Sequence, residues 1–130
     1  MGLNDMFDHK AFAVYSANIN YCFKAYKWQD KNKAKQHIDT LNVPYQLYGF
    51  SQGASTVGSL VRQGNLKNYP EYIITIGAYK TTNVDFSSMG IPFNNYFDYS
   101  GIGQTSPGTF ILVPHYNIQQ AVNTSKNIQN

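Results

Sequence analysis

A serine at position 51, aspartates at 85 and 98 and a histidine at 115 stand in an order that could do acyl chemistry. Ser51 lies inside Gly49-Phe50-Ser51-Gln52-Gly53, a G-x-S-x-G pattern. That pattern matters when a strand runs into it and a helix leaves it. The turn is then tight and lifts the serine Oγ off the carboxyl edge of the sheet. Side chains two residues to either side would strike the neighbouring strand and helix, so both flanking positions call for glycine. The helix N-terminus places backbone N–H groups and the positive end of its dipole beside the hydroxyl. A free hydroxyl is a poor nucleophile near neutral pH, so Ser51 needs a base, and the base needs a group to orient it.

Of the three histidines, His9 precedes the first apolar run and His37 falls in a charged helical stretch, and both read as solvent-exposed. His115 follows directly on Phe110–Pro114, at the carboxyl end of the last apolar run. In a parallel sheet that edge is shared with Ser51, which makes His115 the expected base. In the order serine, acid, histidine, the chain offers Glu71, Asp85 and Asp98. Glu71 precedes a strand and falls on the wrong edge. Asp98 ends the Pro92–Tyr99 segment on the Ser51 edge and is the expected acid. Asp85 would serve if its loop folds back. The plain alternatives are a polar loop histidine and turn-forming aspartates.

The elements that must position these residues follow from periodicity and punctuation. Ala11–Ile19 reads as a strand with its exit loop. Trp28 to Leu41 reads as a surface helix whose narrow stripe is Ala34, Ile38 and Leu41, stopped by Pro44. Tyr45–Phe50 is a strand, and Ala54 to Gln63 a helix with Val57, Leu60 and Val61 on one face and Gly64 at its C-terminal end. Tyr72–Gly77 is β-branched and almost continuously apolar, as suits a strand buried on both faces. Thr81–Ile91 is loop, Pro92–Tyr99 a weaker strand, Ser100–Gly108 loop, Phe110–Val113 a last strand and Tyr116–Lys126 a terminal helix. This alternation predicts one α/β domain over residues 1–130, a three-layer sandwich around a small, mainly parallel sheet of about five strands.

The segment Tyr48-Gly49-Phe50-Ser51-Gln52-Gly53-Ala54 resembles the Gly-Tyr-Ser-Gln-Gly-Ala signature of the cutinase-like branch of the α/β-hydrolase superfamily. In the same order, Ile73-Ile74-Thr75-Ile76-Gly77-Ala78 resembles the next strand and its turn. Tyr96-Phe97-Asp98 resembles the strand bearing the catalytic aspartate, and His115-Tyr116 follows as the catalytic histidine does. The likeness spans roughly Tyr45 to Val122, and only the elbow is specific. It implies a truncated hydrolase fold that cleaves carboxylic esters or thioesters through an acyl-enzyme on Ser51. It implies an oxyanion hole made by the Gln52 N–H and a group from the loop after an early strand, for which Ser16 is the expected donor. The chain departs from the family in having only fifty residues before the serine.

Composition bounds the remaining possibilities. The 130 residues are 42% hydrophobic and 13% charged, far from the balance of a disordered polyelectrolyte. The net charge is +3, and five lysines fall between Lys24 and Lys35 around Tyr26 and Trp28. A solvated helix face accounts for that run, and a single arginine, Arg62, argues against phosphate recognition. Nucleic acid is therefore not an expected partner. Cys22 is the only cysteine, which excludes an intrachain disulfide and a cysteine-based zinc site. Scattered histidines offer no metal set, and no cofactor is expected. No apolar run approaches the ~20 residues of a membrane span, and the first ten residues carry two acids without a signal-type apolar core. A cytoplasmic enzyme acting on a small acyl ester is the expectation. A catalytically inactive hydrolase-like fold used as a binding or assembly module is the alternative. Twenty aromatic residues on so short a sheet suggest a homodimer that covers the region around Phe12–Tyr26.

Overall fold

The computed structural model of the chain describes residues 10–16 and 22–126. Six strands form one mixed sheet: β1 (Phe12–Ser16), β2 (Cys22–Tyr26), β3 (Tyr45–Phe50), β4 (Tyr72–Ile76), β5 (Phe93–Phe97) and β6 (Thr109–Phe110). Their order is β2-β1-β3-β4-β5-β6. Among the described residues three α-helices join them: α1 (Lys31–Thr40), α2 (Gln52–Gln63) and α3 (Ile118–Lys126). The architecture is α/β, as the alternation of elements predicts.

The expected mainly parallel sheet of about five strands needs correction. β3 to β6 are parallel to one another, but β1 runs antiparallel to both β2 and β3. The sixth strand is β2, hidden in the sequence inside the lysine run. It is an edge strand whose Lys24 and Ala25 face water, so it needed no continuous apolar pattern. The last strand is shorter than expected. Pairing ends at Phe110, although the Ile111 N–H still donates to the Phe97 carbonyl at 2.7 Å.

Alternation along the strands fills two cores. Phe12, Val14, Leu47, Ile73 and Phe97 pack under α1 and α2, against Ile38, Val57 and Leu60. Ala13, Tyr48, Phe50, Ile74, Ile76 and Tyr96 point the other way, toward Ile118 and Val122 of α3. Each aliphatic side chain so buried contributes about 1.5–3 kcal/mol of transfer free energy.

Helix ends differ in detail from expectation. α1 starts at Lys31 because Trp28 and Gln29 form a turn. α2 starts directly after Ser51 and ends at Gly64, which is right-handed with φ −82°. The left-handed residue is Asn65, φ 50°. Glycine at 64 is a matter of space, since a Cβ there would lie 2.3 Å from the Leu60 carbonyl oxygen.

Candidate active site

One edge of the sheet gathers the ends of β3, β4 and β5 and the segment after β6. Backbone bonds stitch that edge together. The Ser51 N–H donates to the Ile76 carbonyl at 2.8 Å, Gly77 to Tyr96 at 2.8 Å, and Tyr99 to Val113 at 3.3 Å. Ser51, the turn after β4, the turn after β5 and the lead-in to His115 are thereby fixed in sequence along the edge.

Ser51 has φ 57° and ψ −118°, a backbone state that costs a non-glycine residue on the order of 1–3 kcal/mol. Its neighbours make the turn possible. A Cβ at Gly49 would sit 2.7 Å from the Ala54 Cα, and one at Gly53 only 1.8 Å from the Ala11 carbonyl oxygen. The strand–turn–helix context expected of the G-x-S-x-G pattern is present in full.

The serine, histidine and Asp98 meet as a hydrogen-bonded relay. Ser51 Oγ lies 2.8 Å from His115 Nε2, and His115 Nδ1 lies 2.5 Å from Asp98 Oδ2. The Asp98 side chain is fully buried, while that of His115 is 29% exposed. The Phe50 ring lies nearly parallel to the imidazole, 6.0 Å between centroids. Asp98 caps a short 3-10 turn (Tyr99–Gly101), its Oδ1 accepting the Ser100 N–H at 2.8 Å. Pro114 precedes the 3-10 turn that carries His115 (His115–Asn117) and leads into α3.

Two contributors to the relay were not singled out by the sequence reading. Gly77 has φ +73°, and a Cβ there would come within 2.9 Å of His115 Cε1 and 3.1 Å of Asp98 Oδ2. Only glycine lets the turn after β4 pass this close to the histidine–aspartate contact. Ser100 donates its hydroxyl to Asp98 Oδ1 at 2.5 Å. Gly77 stands in the turn that resembles the hydrolase pattern, and a glycine directly after a β-branched strand was its available signal. Ser100 sat in a Gly-rich loop with no spacing to mark it.

The other candidates are placed elsewhere. Ser16 requires correction as an oxyanion donor. Because β1 is antiparallel to β3, Ser16 pairs with Tyr45 at the start of β3 and is buried there. It stands five residues from Phe50, roughly 16 Å along the strand from the elbow. The part of the early chain that does reach the elbow is the beginning of β1, where the Ala11 carbonyl accepts the Phe50 N–H at 2.9 Å. Gln52 opens α2, and its N–H belongs to a first turn whose donors have no acceptor within the helix. Asp85 does not fold back to His115. Its Oδ1 accepts from the Ser87 hydroxyl at 2.6 Å and the Ser87 N–H at 3.0 Å, which together hold the carboxyl below the usual aspartate range. Glu71 lies at the opposite edge, its N–H on the Tyr45 carbonyl. His37 is half-buried rather than exposed, with Nδ1 2.9 Å from the Tyr26 hydroxyl. His9 lies outside the described residues.

Comparison of the chain with family models, curated proteins and solved structures finds no match.

Among the described residues no three His, Cys, Asp or Glu side chains gather into a set that could hold a metal ion. None of the helices there is long and apolar enough to cross a membrane. The lysine run is partly engaged within the fold: Lys31 donates to the Ser59 hydroxyl at 3.0 Å and Lys35 pairs with Asp39 at 2.5 Å. Beside the elbow an open groove of about 330 Å³ is bounded by Trp28, Gln29, Gln52 and Ser55. Tyr99, Leu112 and Tyr116, which flank the relay in the chain, are all exposed.

Proposed function

We propose that this protein is a serine hydrolase that cleaves a carboxylic ester or thioester of a small molecule through an acyl-enzyme on Ser51, on a pared-down α/β-hydrolase-like sandwich. The observation that carries the reading is the continuous relay Ser51 Oγ–His115 Nε2, His115 Nδ1–Asp98 Oδ2, at 2.8 and 2.5 Å. A serine kept only for a tight turn has no reason to address a histidine that is itself addressed by a buried carboxylate.

Ser51 Oγ attacks the acyl carbon while its proton passes to His115 Nε2. The buried Asp98 carboxylate stabilises the imidazolium so formed and keeps Nδ1 protonated. Collapse of the tetrahedral adduct expels the alcohol or thiol, which takes the proton from Nε2. Water then attacks the acyl-enzyme, giving its proton to Nε2, and the released Ser51 Oγ recovers it as the acid departs. The Gln52 N–H at the head of α2 supports the developing oxyanion. Exposed Tyr99, Leu112 and Tyr116 offer apolar contact to an acyl or leaving group.

The test is turnover of a p-nitrophenyl ester by four proteins. Wild type is active, and Ser51→Ala loses at least about 10³-fold. Asp98→Asn loses about 10⁴-fold, because the histidine adopts the wrong tautomer. Asp85→Asn stays near wild type. Equal rates in wild type and Ser51→Ala would sink the proposal in favour of a fold that binds without catalysis.

A further inference from the structure

We infer that Ser100 is a positioning residue that locks the tautomer and the orientation of His115, an inference that rests on reading Ser51, His115 and Asp98 as a hydrolytic relay. Asp98 has two carboxylate oxygens, both inside the protein. Oδ2 takes the imidazole, and Oδ1 takes two donors from one residue, the Ser100 N–H at 2.8 Å and the Ser100 hydroxyl at 2.5 Å. The backbone bond is the cap of the 3-10 turn, and any residue at position 100 would supply it. The hydroxyl bond is a separate feature that only serine, threonine or a similar donor can make.

The same hydroxyl oxygen lies 3.2 Å from His115 Nδ1. A hydroxyl has one proton and two lone pairs. With the proton committed to Asp98 Oδ1, what Ser100 presents to the imidazole is an acceptor. Nδ1 therefore faces two acceptors, Asp98 Oδ2 and Ser100 Oγ, carried on different backbone positions. Both demand the proton on Nδ1, which leaves Nε2 bare toward Ser51, as a general base requires. A second acceptor on Nδ1 adds to the Ser51 contact at Nε2 and the Phe50 ring in restricting how far the imidazole can turn about the Asp98 contact. Gly77 completes the arrangement by leaving the imidazole edge and Asp98 Oδ2 uncrowded.

The isosteric pair Ser100→Thr and Ser100→Val tests the inference, because the two variants differ in the hydroxyl and not in shape. With p-nitrophenyl acetate, Ser100→Val is expected to lower kcat roughly tenfold at unchanged KM, and Ser100→Thr to restore it. Proton NMR in water reads the same lock without turnover. The His115 Nδ1 proton gives a downfield resonance in wild type, kept by threonine and broadened by valine. Ser100→Val matching wild type in both kcat and resonance overturns the inference, as does a threonine variant that behaves like valine. If Ser51→Ala turns over as fast as wild type, the hydrolase reading fails on its own. The resonance then still decides whether Ser100 holds the histidine.

Discussion

His37 stands half-buried on α1, and burial, with Lys24 nearby, lowers its proton affinity below the ordinary histidine value of 6.5. Its Nδ1 meets the Tyr26 hydroxyl, a bond in which a neutral imidazole can accept. The unfolded chain thus binds more protons than the folded one in the window just below 6.5. The stability His37 contributes is present above that value and is lost as pH falls through the lower, folded one. The melting midpoint of wild type should drop between about pH 7 and about pH 5, and that of His37→Gln should drop less. Thermal denaturation across that range checks it. Such a contact was invisible in the sequence, because Tyr26 belongs to a strand that the lysine run disguised. Ser51, His115 and Asp98 were legible for the opposite reason. Acyl chemistry limits the residue types, and strand ends limit the edge on which each can stand. Ser16 failed that logic on one point. The alternation of Phe12 to Ser16 reads the same in either strand direction, so composition could not say at which edge β1 ends.

At the scale of elements, the elbow depends on contact between α2 and the start of β1. Gly53→Ala would drive a methyl into the Ala11 carbonyl, and an overpacked site of this kind costs on the order of 1–3 kcal/mol or more. Gly77→Ala is a different lesion. Its Cβ would meet His115 Cε1 and Asp98 Oδ2 while the backbone is held at φ +73°. Measured side by side, Gly53→Ala should lower the melting midpoint more, and Gly77→Ala should lose most of its turnover at temperatures where it remains folded. The glycines flanking Ser51 could be anticipated because the motif states why they are needed. The need at Gly77 arises from two segments that meet it across the sheet edge, from 21 and 38 residues further along the chain. β4 was legible from its β-branched run. β2 was not, because an edge strand on a hairpin needs few apolar positions.

For the whole molecule, the covering of β1 changes where a second copy could attach. The expected homodimer was to cover a bare early-strand region, yet Phe12, Ala13 and Val14 are fully buried within one chain. Among the described residues β2 is the outermost strand on that side, with Lys24 and Ala25 at the surface. A dimer that adds strand to strand there would leave the Ser51 edge accessible, and Ala25→Pro would abolish it. Light scattering coupled to size exclusion gives twice 14.7 kDa for that assembly and 14.7 kDa for a single chain. The shortness of β6 has a consequence at the same scale. Ser51 and Asp98 hang from β3 and β5, each paired on both sides, whereas His115 follows a strand of two residues at the margin of the sheet. Margins held by few backbone bonds open in local fluctuations long before the centre does. Heating should therefore detach the histidine first, so that turnover fades reversibly at temperatures where far-ultraviolet circular dichroism still reports an intact sheet. On the proposed hydrolase reading, the working temperature would be set by the last two paired residues and not by the core.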